Sequence, residues 1–251
     1  MREERHWLLI DAGNSRVKLG WALVSGISRF DLLDNENIDS LLPVILGKHI
    51  APSMVWLANS AGEQREQQIK KIVETLWGVD VQSIGATGKF GDVSNGYYKP
   101  EQLGIDRWLG MIAAWDKIHG AFCLVDCGTA VTIDLVDGEG NHQGGIITPG
   151  IGASSRELAA KARHLPSNQL YSETFPLGRS TEEGLRMDRD GSVDSVDSAI
   201  ADILSRNKNV ALMVTGGDAW QIHESSRFRF KDDPNLVLDG LFLVANSAIS
   251  Q

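Results

Sequence analysis

The chain has 251 residues, 42% of them hydrophobic, and a formal net charge of −9. That length fits one large domain or two of about 120 residues, with enough apolar material for real cores. The acidic balance and the lack of any Lys/Arg cluster argue against nucleic-acid binding through a basic patch; no apolar stretch in the sequence is long enough to span a membrane, and Met1-Arg2-Glu3-Glu4-Arg5-His6 leads into a strand rather than a signal peptide.

Strands are predicted near 7–11 and 17–24, from the apolar run Trp7-Leu8-Leu9-Ile10 and the alternation of Val17, Leu19 and Trp21. Further strands are predicted near 54–58 and 79–84. Between these, Glu63 to Leu76 reads as an amphipathic helix with Ile69, Ile72, Val73 and Leu76 on one face, and Ser60 and Glu63 have capping-box spacing at its start. Residues 85–102, with Gly85, Gly88, Gly91, Gly96 and Pro100, read as a long loop of the kind that is disproportionately functional. The loop delivers Tyr97 and Tyr98 to a helix over 101–118 whose buried face holds Trp108, Ile112 and Trp115. Strands near 121–126, 130–136 and 142–147 follow, with a hairpin turn at Asp137-Gly138-Glu139-Gly140. Helices are expected over 154–163, 194–206 and 239–248, the last apolar on most sides and so buried. Cys123 and Cys127 point to one strand face and read as small core residues of a reduced cytoplasmic protein, not as a disulfide or metal pair.

One device occurs twice. Asp11-Ala12-Gly13-Asn14-Ser15 and Asp126-Cys127-Gly128-Thr129-Ala130 each follow an apolar strand and precede an alternating one. A single Asp-x-Gly between strands is an ordinary hairpin turn; two copies, near the start and the middle, point to two half-domains of similar design. Glycine lets such a turn bring its N–H groups close to an anion, and an aspartate at the strand end can hold Mg²⁺, directly or through water. A third strand, Val210-Ala211-Leu212-Met213-Val214, runs into the glycine turn Thr215-Gly216-Gly217-Asp218-Ala219 and then a helix.

In that order the three turns resemble the phosphate-1, phosphate-2 and adenosine motifs of the actin-like ATPase and sugar-kinase superfamily. Together with Arg16-Val17-Lys18, Tyr98-Lys99-Pro100, Leu103-Gly104-Ile105-Asp106-Arg107-Trp108 and Gly144-Gly145-Ile146-Ile147-Thr148-Pro149-Gly150, they are similar to those of type III pantothenate kinase. The resemblance implies an α/β protein of two similar actin-like (ribonuclease H-like) half-domains, with mixed sheets and a cleft between them. They are expected over 1–118 and 119–251, with ATP and pantothenate meeting in the cleft.

It also implies roles for particular residues. Asp106 is the expected general base, taking the proton from the pantothenate hydroxyl as that oxygen attacks the γ-phosphate of ATP. Tyr98, Gly104, Ile105, Asp106, Arg107 and Thr181 are the expected substrate-binding residues; Arg107 offers a planar fork for an oxyanion or amide oxygen. Thr181 also lies in Ser180-Thr181-Glu182-Glu183, which reads as a helix N-cap region. ATP is expected at Asp11, Ala12, Gly13, Asn14, Ser15, Arg16, Val17, Lys18 and Thr129. Asp11 would position Mg²⁺, and Asp126 would bind a monovalent cation, K⁺ or NH₄⁺. The family is dimeric, so a cytoplasmic homodimer is expected. The sequence departs from the family where Asp188 stands at a usual glycine, within the polar stretch 184–198. Other functions on the same fold are a kinase for another small hydroxylated acceptor, or a non-catalytic accessory factor in transcription.

Overall fold

A computed structural model describes residues 6–151, 177–185 and 191–249. The helix expected over 154–163 and the Asp188 departure lie outside the described residues. Contacts divide the chain into two compact units, residues 1–85 with 237–251, and residues 86–236.

The first unit is built on a five-stranded sheet. Its strands are β1 (Trp7–Ala12), β2 (Arg16–Leu23), β3 (Gly26–Asp34), β4 (Met54–Asn59) and β5 (Val81–Ile84), in the order β3-β2-β1-β4-β5. The β1–β2 and β2–β3 pairs are antiparallel, and β1–β4 and β4–β5 parallel. Helices α1 (Ile38–Leu46) and α2 (Glu63–Trp77) pack on the sheet through Ile38, Leu42, Leu46, Ile69 and Val73. Ile72 is half-buried and Leu76 exposed, so the apolar stripe of α2 is narrower than its sequence suggests.

One element here escapes the sequence pattern, β3. β3 is an outer strand in which only Leu33 is buried, so it lacks the alternation of a half-buried strand. The capping box at Ser60 does not form. The cap position of α2 is Gly62, and the Asn59 side chain organises the turn by accepting from Ala61 N (3.2 Å) and donating to Gly62 O (2.9 Å).

The second unit repeats the scheme. Strands β8 (Phe122–Cys127), β9 (Ala130–Val136), β10 (His142–Pro149), β11 (Ala211–Thr215) and β12 (Lys231–Asp232) form a sheet of order β10-β9-β8-β11-β12. The first two pairings are again antiparallel and the last two parallel. Before it, residues 85–102 contain a short hairpin, β6 (Lys89–Phe90) with β7 (Val93–Ser94), and a 3₁₀ turn at Pro100–Gln102. The helix expected from 101 starts later, as α3 (Ile105–Ile118), because Leu103 is extended and Gly104 takes the cap position. Trp108 and Ile112 are buried as expected, with Trp115 half-buried. The boundary expected at 118/119 falls inside this unit, at the turn between α3 and the strand it packs on, β8.

Helices α4 (Thr181–Gly184), α5 (Val193–Arg206) and α6 (Ala219–Ser225) complete the second unit. Val196, Ala199, Ile200 and Ile203 of α5 share a core with Cys123, Cys127, Val131 and Ile133, where burial pushes both thiols well above their usual pKa. The closing helix α7 (Leu236–Ile249) belongs from Val237 onward to the first unit. Its Phe242 ring packs against Trp7 at 6.1 Å, and Gly20 of β2 leaves room for Leu238.

Candidate active site

The repeated turn takes two lengths. In the first unit four residues separate the last paired positions, Ala12 and Val17, and Gly13 N donates to Arg16 O at 3.0 Å. In the second, three residues separate Cys127 and Val131, and Gly128 N donates to Ala130 O at 3.0 Å. Asp11 lies opposite Lys18 across the β1–β2 pair, and Asp126 opposite Thr132 across β8–β9.

Each turn is braced from outside. In the first unit the Asn35 amide donates to Gly13 O (3.0 Å) and Asn14 O (2.7 Å), and Asn35 N donates to Ser15 O (3.0 Å). Asn14 in turn donates to Ser60 O at 3.3 Å. The expected ATP-side residues Asp11 to Lys18 are therefore held as one ordered segment. Asn35 was not among the residues expected from sequence, because its contact depends on β3 folding back beside the turn.

In the second unit the braces are glycines. A side chain at Gly150 would come within 2.8 Å of Gly128 O and Thr129 O. One at Gly216, whose φ of +97° already disfavours other residues, would come within 2.2 Å of Cys127 O and 2.6 Å of Asp126 Oδ1. The adenosine-type turn thus lies against the Asp126-Cys127 strand end, and Asp218 N donates to Cys127 O at 3.0 Å. Asp126 and Thr129 sit within this arrangement. Among the described residues no group of three or more His, Cys, Asp or Glu side chains is placed to hold a metal ion.

The expected substrate residues converge in the second unit. Gly104 caps α3, which puts Asp106 and Arg107 in its first turn. The Asp106 carboxylate folds back on the helix end, Oδ1 accepting from Arg107 N at 2.8 Å. A Cβ at Gly104 would come within 2.7 Å of that oxygen and would push the carboxylate out of this position. Gly110, farther along the helix, lets α3 approach β8 closely: its Cβ would be 3.0 Å from Leu124 Cδ2.

Arg107, expected as a fork open to substrate, is buried at 5% exposure. Its Nε and Nη2 donate to Asp134 Oδ2 (2.9 Å) and Oδ1 (2.6 Å), and Nη1 donates to Tyr97 Oη (2.7 Å). Asp134 also bonds His142 Nε2 at 2.8 Å, and the His142 ring stacks on Tyr97 at 6.0 Å. Burial acts to raise the Asp134 pKa, but the Arg107 charge and the hydrogen bonds from His142 and Arg107 outweigh it and hold the carboxyl well below its usual range. Gly145 makes the pair possible: a Cβ there would come within 2.2 Å of Arg107 Nη2 and 2.4 Å of Asp134 Oδ1. Asp134 and His142 were not expected from sequence. The available signal was an acidic residue inside the strand Val131–Val136, whose neighbours are nearly all apolar.

Residues 177–185 form the other wall of this region. Gly178 and Gly145 exchange two backbone hydrogen bonds of 2.9 Å, and Ser180 caps α4 by accepting from Glu183 N at 3.2 Å, as its sequence setting suggested. The Thr181 hydroxyl donates to Gln102 O at 3.4 Å and adjoins the Tyr97 phenol. Tyr98, 65% exposed, is bonded through its backbone N–H to Arg179 O at 3.0 Å. One chain therefore brings Tyr98, Gly104, Ile105, Asp106, Arg107 and Thr181 to one end of α3.

Comparison with known proteins identifies the family and the fold. The family model described as type III pantothenate kinase matches residues 7–204. A type III pantothenate kinase from Nitrosococcus oceani is 32% identical over 249 residues, covering 95% of this chain and 93% of that protein. One from Halorhodospira halophila is 31% identical over 245 residues, covering 93% and 95%. In fold, the chain is similar to the (R)-2-hydroxyglutaryl-CoA dehydratase component A of Acidaminococcus fermentans (TM-score 0.52, 14% identity, 98% and 100% coverage). It is also similar to the ethanolamine utilization protein EutJ of Carboxydothermus hydrogenoformans (TM-score 0.52, 12% identity, 95% and 89% coverage). The fold is that of the actin-like ATPases and sugar kinases, and the chain belongs to the type III pantothenate kinase family.

Proposed function

We propose that this protein transfers the γ-phosphoryl group of ATP to the primary hydroxyl of pantothenate, giving 4′-phosphopantothenate, the first step of coenzyme A synthesis. The observation that carries the reading is the state of Asp106. One carboxylate oxygen is fixed by Arg107 N, and among the described residues the other has no hydrogen bond. In this reading that oxygen accepts the hydroxyl proton as the substrate oxygen attacks phosphorus. Tyr98, Gly104, Ile105 and Thr181 orient the acceptor, and Arg107 holds the start of α3 from its buried place against Asp134. The segment Asp11–Lys18 and Thr129 take the nucleotide.

Asp11 is the ligand assigned to Mg²⁺, an ion that keeps several waters and needs only one or two carboxylates beside substrate phosphates. Asp126 is assigned to K⁺ or NH₄⁺. It lies against a turn with carbonyl oxygens at Cys127 and Gly128, the hard oxygen donors such ions prefer. These ions would neutralise charge developing on the phosphates. We further read the protein as a cytoplasmic homodimer, for which the free buried thiols suit a reducing compartment.

The test is a coupled phosphorylation assay with pantothenate and a panel of other small hydroxylated acceptors. Asp106→Asn should lower kcat by about a hundredfold or more while ATP still binds. A loss under about tenfold, or a better acceptor than pantothenate, would refute the assignment. Light scattering at micromolar concentration reads the oligomer; an active monomer would show that one chain completes its substrate site alone.

A further inference from the structure

An anionic acceptor needs a positive charge that is not already neutralised, and Arg107 does not supply one. Its guanidinium is buried, faces the Asp134 carboxylate with two hydrogen bonds, and gives a third to Tyr97. The Arg107–Asp134 pair is neutral as a unit and closed to water.

Arg179 is its opposite in each respect. It is exposed, and its guanidinium lies over the exposed Tyr98 ring, 4.9 Å from the centroid. Its Nε donates to Gly96 O at 2.6 Å, which fixes the plane of the fork. Its backbone is fixed as well: Arg179 O accepts from Tyr98 N at 3.0 Å and Arg179 N donates to Glu183 Oε2 at 2.8 Å. Among the described residues Nη1 and Nη2 have no hydrogen-bond partner. A fork anchored at Nε and on a ring face, with both terminal nitrogens open, suits a carboxylate. It stands next to two of the expected substrate residues, Tyr98 and Thr181. Lys99, the nearest alternative in sequence, is exposed but has no such anchor among the described residues.

We propose that Arg179, and not Arg107, recognises the carboxylate of the acceptor; the assignment rests on the pantothenate kinase reading above. Arg107 then acts through Asp134 and Tyr97 to hold the start of α3, and with it Asp106. Tyr98 serves as the platform on which the Arg179 fork is laid.

The test compares Arg179→Met, which keeps the stem over Tyr98, with Arg179→Lys and Lys99→Met. Pantothenate and its neutral alcohol analogue, with CH₂OH in place of the carboxylate, are the acceptors. Loss of a charge-assisted contact should raise the KM for pantothenate about 10- to 100-fold in Arg179→Met. It should change use of the neutral analogue far less, so that the variant no longer prefers the anion. Arg179→Lys should recover part of the preference, and Lys99→Met should keep it. An unchanged KM in Arg179→Met, an equal loss for both acceptors, or the loss appearing in Lys99→Met would overturn the proposal. Calorimetric titration of pantothenate without nucleotide separates it from the reaction. Binding that weakens in Arg179→Met supports the contact even if turnover belongs to another acceptor, and binding that is unchanged refutes it even if the kinase reading holds.

Discussion

Asp134→Asn tests the buried pair directly. The substitution keeps the side-chain shape and removes the charge, leaving the Arg107 guanidinium, 5% exposed, without its counter-ion. Three hydrogen bonds, from Arg107 Nε (2.9 Å), Arg107 Nη2 (2.6 Å) and His142 Nε2 (2.8 Å), lose an ionised acceptor. Removing one partner of such a pair costs about 3–5 kcal/mol. At about 2–4 °C per kcal/mol for a chain of this size, the unfolding midpoint at pH 7 should fall by roughly 6–20 °C. An Arg107→Met/Asp134→Leu double variant should lose less than Asp134→Asn alone, since no unpaired charge stays buried. The pH dependence gives a second reading. Because Asp134 has a depressed pKa in the folded chain, its contribution is fully present above the unfolded carboxylate value of about 4 and is lost as pH falls below it. Urea midpoints at pH 7, 5 and 3.5 should therefore show an equal gap between parent and variant at the first two and the start of its narrowing at the third, the rest of the loss falling at still lower pH. A midpoint within about 2 °C of the parent at pH 7, or a gap that does not narrow in acid, would refute the reasoning.

Three further outcomes follow from the close contacts. Gly145→Ala places a methyl 2.2 Å from Arg107 Nη2 and should cost both stability and turnover, whereas Gly138→Ala, with nothing within 4 Å, should leave a melting curve close to the parent's. Asn35→Ala removes two hydrogen bonds from the Gly13-Asn14 turn, worth about 0.5–1.5 kcal/mol each; KM for ATP should rise while that for pantothenate holds, and an equal rise in both would mean that Asn35 acts elsewhere. Activity should require K⁺ or NH₄⁺, and Asp126→Ala should abolish that requirement together with most turnover; full parent activity in a Tris buffer free of monovalent metal and ammonium ions would remove the cation from the mechanism.

Much of this architecture is legible in the sequence because its local signals are strong. The paired apolar strands, the two Asp-x-Gly turns and the glycine turn at 215–219 each report a backbone geometry that few residues allow. Their order then indicates the repeated sheet. The outer strand β3 stays hidden because only Leu33 among its residues is buried, and burial is what writes a pattern into sequence. The Arg107–Asp134–His142 cluster stays hidden for another reason. Its members come from α3, β9 and β10, and their meeting depends on strand register and on the room left at Gly145. The roles of the glycines in Gly144–Gly150 likewise appear only when the atoms they admit are known. The capping box at Ser60 is the converse case, a local motif displaced by a better local competitor, the Asn59 side chain.

The path of α7 has a consequence for synthesis on the ribosome. The first unit takes in Val237–Ile249, so residues 86–236 must emerge before its last helix does. At about 5–20 residues per second that interval is roughly 8–30 s. Through it the Trp7 face that Phe242 will cover is without that cover, although β1 to β5 are already out of the ribosome. The second unit has all of its strands in hand first. The order of completion is therefore the reverse of the order of translation, and the Asp-x-Gly turn at Asp11–Lys18, the earliest motif made, belongs to the unit that is finished last.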